Sequence, residues 1–387
     1  MKSRILAAAL ATVSLLTVLR AEDPSSPPIN PALLYWQAAA QLPKLTDDQA
    51  REMRGMAEGK LPVDPEMLKR LELGSAENLL RKAAASSAPC DWGLSKDDGP
   101  FLALPHISKI LELARVAAVE AEAKLAQGKT EEGIEWLLTA HRIARHSGAG
   151  DSILSFLVQN SIESMAFKAA ARHCLLWDET SRHGYSAKLK SLPPLHSLAD
   201  AYHGELSMAA WLERQLDGPE PERRKMLELL YTEMGCKPSG QLTQASAEQY
   251  FLQFKPEPMK KLIAEYRDLI ERTQRAAGKP WKVGRPDVDV LKEGAKNSEF
   301  ILIRQSYPPL ADIYDREYQL VTMRTMLHAA LECGAQIDEA KAAAYQDAFE
   351  GNPLRLQKSA DGALVLAAAE QHPAGKPIAL NLGKIVR

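Results

Sequence analysis

Cysteine is scarce in this 387-residue sequence, with four residues, Cys90, Cys174, Cys236 and Cys333, scattered along it. Such spacing excludes the zinc patterns, whose ligands recur a few residues apart. Neither sign of charge is in excess, since the formal net charge is −2. Lysine and arginine are dispersed, which argues against a nucleic-acid footprint and against a polybasic membrane patch. Beyond the first twenty residues no apolar run is long enough to cross a bilayer. Catalytic signatures are missing too: there is no Gly-x-Ser-x-Gly, His-Glu-x-x-His, Walker loop or dinucleotide fingerprint. No cofactor is implied, and an enzyme would need a site assembled from distant residues.

What is present begins with an export signature. Lys2 and Arg4 precede an uncharged run from Ile5 to Leu19, followed by Arg20, Ala21 and the polar Glu22-Asp23-Pro24. A charged start, a short apolar core and a small residue before a polar break describe a secretory signal. Residues 1–21 are expected to be that signal, with cleavage after Ala21 and residues 22–31 as a linker. The bulky Leu19 leaves a retained anchor as the alternative. The expected location is periplasmic or extracellular, where the four cysteines are candidate disulfide partners with three pairings open. Cys174 and Cys333 lie in helical runs and also read as buried thiols.

From residue 32 onwards the sequence is punctuated like a series of helices. Asn30-Pro31 and Asp64-Pro65 each place a capping side chain before a proline suited to the first helical position. Thr46 with Gln49 forms a capping box. Gly74 is expected to end one helix and Ser75 to cap the next. Ile107, Ile110, Leu111, Ala114, Ala117 and Ala118 recur at helical spacing. Gly128 is read as a stop, Thr130 as a cap, Gly148 as a second stop and Asp151 as the start of a long helix towards Trp177. Further helices are expected near 194–216, 220–234, 246–254, 258–277, 309–333 and 338–349. Glycine and proline at 278, 280, 284, 286 and 294 mark 278–298 as an irregular connection. It would divide a helical domain, 32–277, from C-terminal helices, 299–349. In the tail, 350–387, Leu354–Gln357 and Ala363–Leu366 flank Asp361-Gly362, which predicts a β-hairpin. Ile378–Leu382 is a candidate third strand.

Two stretches resemble known families. Ala123–Ala144, with Gly128 at a turn and Gly133 and Ala140 at small positions, resembles the core of a tetratricopeptide unit, within a hairpin spanning about 109–146. No 34-residue recurrence accompanies it. Phe349-Glu350-Gly351-Asn352-Pro353-Leu354 followed by Asp361-Gly362 is similar to the ending of pseudopilin-like proteins and of uncharacterised exported helical families. It lacks their opening Asp-Pro and closing Tyr-Ser. The chain as a whole, including Asn30–Trp36 and Cys90-Asp91-Trp92-Gly93, resembles those uncharacterised exported proteins. The resemblance implies a helical fold and no activity.

Few residues point to chemistry. His196, Asp200 and His203, at spacings of four and three, would share a helical face. Asp200-Ala-Tyr-His203 matches half of a carboxylate-x-x-His pair as used in di-metal bundles. His328 and Glu332 form a second pair, at spacing four on another expected helix, and these five are weak candidates for a metal site against the commoner solvated stripe. His141 lies on an apolar stripe and reads as a hydrogen-bonded core histidine. Trp92, in a loop, reads as an anchor packed onto helices. Ser161, Glu163 and His173 are too far apart on one helix for a triad. The expected architecture is thus mainly α, an irregular stack of antiparallel helical hairpins with a small C-terminal β-hairpin. The leading function is an exported binding scaffold for a protein or peptide partner, and the alternative a metal-binding helical bundle.

Overall fold

The computed structural model describes residues 29–94, 99, 104–150, 152–216, 218–225, 255–307, 310–369 and 378–384. The expected signal, most of the linker, Cys236, the helix at 246–254 and most of that at 220–234 lie outside these residues.

The caps read from the sequence set the first helices. In α1 (Pro31–Gln41) the Asn30 side chain accepts from the Ala32 amide, and α2 (Asp47–Ala57) opens with the full Thr46/Gln49 capping box. Asp64 caps α3 (Pro65–Leu71). Here the sequence misleads. Glu72, at φ 28°, turns left-handed directly after α3, and Gly74, left-handed as well at φ 46°, is the first residue of α4 (Gly74–Ala85). Ser75 does not cap α4; its hydroxyl donates to Gln41 instead.

The central layer is α5 (Pro105–Ala126), α6 (Thr130–Gly148) and α7 (Ile153–Cys174). Gly128, at φ 74°, takes the left-handed position after α5. The Gly128 and Lys129 amides donate back to Leu125 and Lys124 at 3.0 and 2.9 Å, a Schellman ending. Gly133 lies where α6 meets α5: a Cβ there would fall 2.5 Å from Leu125 Cγ. Thr130 does not cap α6 through its side chain, and Ser152 caps α7.

The chain continues through α8 (Glu179–Ser191), α9 (Leu198–Leu216) and α10 (Pro256–Ala277). It then enters 278–298, which is helical rather than irregular: α11 spans Trp281–Lys296. Pro286 sits early in α11, and Gly284 lets the helix approach so closely that a Cβ would meet Tyr314 Oη and the Ala276 carbonyl. Trp281 Nε1 donates to Asp315 at 2.8 Å, and Arg285 pairs with the same carboxylate. Gly284 serves close packing within α11, while Gly278 and Pro280 mark the break between α10 and α11. The short α12 (Ile301–Ser306) leads to α13 (Leu310–Cys333), which packs on α7, α8, α9 and α11.

The expected helix 338–349 is reduced to α14 (Glu339–Ala343). After it, Asp347 Oδ1 accepts the amides of Phe349, Glu350 and Gly351 at 3.0–3.1 Å and folds 347–352 into a tight loop. A short aspartate competes for local backbone amides in this way and stops helix growth. Three antiparallel strands close the fold in the order β1 (Arg355–Lys358), β2 (Leu364–Ala367), β3 (Ala379–Gly383). Gly362, at φ 87°, turns the hairpin, and β3 packs against α7. The protein is therefore mainly α with a small C-terminal antiparallel sheet. One hydrophobic core runs from Ala32 in α1 to Leu382 in β3.

Candidate binding cleft

Pro193-Pro194 prevents α8 and α9 from joining, since proline supplies no amide and disfavours helix before it. The segment 192–197 consequently crosses the molecule without regular structure. Its backbone is held by side chains from three helices. Arg145 Nε of α6 donates to the Pro193 carbonyl at 3.1 Å. Gln159 of α7 donates to the His196 carbonyl at 2.8 Å and accepts the His196 amide at 3.1 Å. Glu317 Oε1 of α13 accepts the Leu198 amide at 3.0 Å.

Between this segment and α13 lies a cavity of about 480 Å³, lined among others by Arg145, Asn160, Lys190, His196, Glu317 and Arg324. It shares Asn160 and Leu320 with a pocket of about 230 Å³ towards Ser161 and Met323. It shares Lys190, Val321 and Arg324 with one of about 290 Å³ towards His328 and Leu331. The three form one cleft along α13, whose residues 317, 320, 321, 324, 328 and 331 fall on one face at helical spacing.

A fully buried network underlies the wall. His141, on α6, has Nδ1 3.0 Å from Glu163 and Nε2 2.7 Å from the Tyr185 hydroxyl. A carboxylate only accepts, so the neutral ring carries its proton on Nδ1 and accepts from Tyr185. Burial, and then the charges of Arg145 and Arg324, hold the imidazole well below its usual range. Arg145 forms an ion pair with Glu163. Its own guanidinium is lowered to about 10 by burial and by Arg324. His141 is thus the hydrogen-bonded core histidine that its apolar stripe suggested, with no exposed surface.

The cavity side is differently furnished. Asn160 is 8% exposed and its Nδ2 has no hydrogen-bond partner. Glu317 Oε2 is buried without one, and burial pushes the Glu317 carboxyl up to about 7. Arg324 and Lys190 are exposed, and neither side chain makes an ion pair or hydrogen bond with another described residue.

The proposed metal ligands are not assembled. His196 is in the segment before α9, not on it, because Ser197 and Asp200 form a capping box that starts the helix at Leu198 (Asp200 amide to Ser197 Oγ, 3.1 Å; Ser197 amide to Asp200 Oδ2, 2.9 Å). His196, Asp200 and His203 border an open depression of about 370 Å³. His328 lies at another part of the cleft, 3.7 Å from Glu332, which also binds the Tyr345 hydroxyl. Among the described residues no group of three or more histidine, cysteine, aspartate or glutamate side chains is placed to hold a metal ion.

Of the four candidate disulfide cysteines, Cys236 lies outside the described residues. Cys90, Cys174 and Cys333 are free thiols, and burial pushes the first two up to about 12. The three sit on separate elements of a core large enough to need no cross-link. Trp92 is an anchor: it stacks between Tyr35 and His106, and its Nε1 donates to the His146 carbonyl at 3.2 Å. No helix among the described residues is long and apolar enough to cross a membrane.

Sequence reasoning missed Asn160, Lys190, Glu317 and Arg324. A signal existed for two of them. Glu317 and Arg324 are seven residues apart on the stripe that also carries Leu320 and Val321, so both charges fall between two apolar positions of one helical face. Asn160 and Lys190 gained meaning only when 192–197 folded beside them. No protein-family model, curated protein or solved structure matches this chain.

Proposed function

We propose that this protein is an exported helical scaffold that acts by binding a segment of a protein or peptide partner in the cleft along α13. The observation that carries this reading is the continuity of the three pockets, which present apolar side chains interleaved with unpaired polar ones. A ligand site commonly combines a concave apolar surface with a few polar groups that fix orientation. The tetratricopeptide-like reading of 109–146, the resemblance of the ending to pseudopilin-like proteins and the periplasmic or extracellular location belong to the same proposal.

The test is photocrosslinking in cells from an amino acid placed at Val321, 44% exposed and lining the cleft, with Val290, 64% exposed on α11, as the control position. A saturable adduct from position 321 and none from 290 is the expected result. Equal capture at both positions, or none, overturns the cleft as the binding surface. Mass spectrometry of the secreted protein should find Glu22 at its N-terminus; retention of residues 1–21 would favour the anchored form.

A further inference from the structure

We propose that the cavity between residues 192–197 and α13 is a carboxylate subsite, in which Asn160, Lys190 and Arg324 bind a carboxylate of the peptide segment held in the cleft. The inference rests on the binding reading above and names the group that the cleft selects.

Three independent observations converge on one ligand chemistry. The first is Asn160. Its amide is more than nine-tenths buried at the junction of the main cavity and the narrower pocket, and its Nδ2 has no partner. A buried donor without an acceptor is costly, and such groups are rare where nothing is to be bound. The second is the pair Lys190 and Arg324. They face the same cavity from α8 and α13, and neither makes an ion pair with another described residue. The third is the state of the remaining charges. Arg145 is already neutralised by Glu163. Glu317 spends one oxygen on the Leu198 amide and is pushed up to about 7, so near neutrality much of it is uncharged. Asp200 is engaged with Ser197 at the start of α9. The groups left unpaired on the wall are therefore mainly donors, two of them cationic. A guanidinium and an ammonium with a neutral amide donor suit a planar anion with several acceptor lone pairs. The apolar Leu320 and Val321 beside them suit the aliphatic part of a peptide better than a small inorganic ion.

A peptide can offer a carboxylate from its C-terminus or from an acidic side chain. Three probes separate these sources: N-acetyl-alanyl-alanine, its C-terminal amide, and N-acetyl-aspartyl-alanine amide. The full chain is titrated with each while the side-chain amide signal of Asn160 is followed by NMR. Either acid form is expected to shift that signal saturably, and the neutral amide is not. Response to the first alone assigns the C-terminus, and response to the third alone an acidic side chain. Exposed Arg324 can be changed without disturbing the core: Arg324→Glu should weaken binding at least about tenfold, whereas Arg324→Lys should stay within a few-fold. Inorganic phosphate serves as a further probe. Equal shifts with acid and neutral probes, no shift with any, or tighter binding of phosphate than of either carboxylate would overturn the subsite. An adduct at position 321 alongside a neutral-probe response would leave the cleft standing and remove only its carboxylate selectivity.

Discussion

Two polar regions lie within one helical turn of each other on α7 and use similar side chains to opposite ends. Glu163 faces inward, where Oε2 meets His141 and Oε1 is ion-paired with Arg145. Asn160, three residues earlier, faces the cleft and leaves a donor unused. Both are buried, so burial alone does not separate a structural polar group from one available to a ligand. The difference is partnership. A charge-paired network in low dielectric fixes the packing of α6, α7 and α8, while a group without a counterpart beside open volume keeps its hydrogen-bonding capacity for something that enters.

The sharpest way to break the comparison is at Glu163. Glu163→Ala should cost about 3–5 kcal/mol, because it leaves Arg145 buried without its counter-charge. Denaturant unfolding measures this, and a loss below about 1 kcal/mol would show that the network does not hold the helices. Next comes acid. His146, bonded through Nδ1 to Tyr35 at 2.8 Å, is lowered to about 4 by burial. Its unfolded value lies near 6.5, so the unfolded state binds the extra proton first. Stability from this group is present above pH 6.5 and is lost as pH falls through about 4, roughly 3 kcal/mol in the limit. Stability measured from pH 7 to pH 4 should fall, and His146→Gln should flatten the slope.

Glu317 has the opposite sign. Its folded value near 7 lies above the unfolded one near 4.5, so its contribution is present below pH 4.5 and is lost as pH rises through 7. Glu317→Gln should therefore stabilise the protein at pH 8, by about 1–2 kcal/mol after allowance for water in the cavity, and give little at pH 4.5. Thermal unfolding at the two pH values checks it, and equal effects would mean that the carboxyl titrates normally. The smallest effect belongs to Asn160→Leu. Removing an unpartnered amide at similar volume should leave stability within about 1 kcal/mol while weakening carboxylate-probe binding, read by calorimetry, at least about tenfold. A loss comparable to that of Glu163→Ala would erase the distinction between the two regions.

Local chemistry made part of this molecule legible in advance. The Asn30, Thr46 and Asp64 caps, the Gly128 turn, the small Gly133 and the Asp361-Gly362 hairpin depend on residues within a few positions of one another. Errors arose where distant groups took over. Ser75 is claimed by Gln41, and Gly284 fits inside α11 against Tyr314 of α13, while Asp315 binds Trp281 and Arg285; the Asp347 loop that shortens the helix expected over 338–349 is local and was overlooked. Of the five metal candidates, His196, Asp200 and His203 border one open depression without forming a ligand group, since a capping box and a Pro-Pro segment took His196 off the helix, and His328 lies at another part of the cleft.

The sequence by itself determined that the chain would fold as helices with a short β ending, because periodicity, caps and turn residues act over a few residues and need no knowledge of the rest. Only the tertiary structure decided which buried polar groups are paired. Whether Asn160 or Glu163 finds a partner depends on chain segments 18 to 164 residues away in sequence, and no local pattern encodes that proximity.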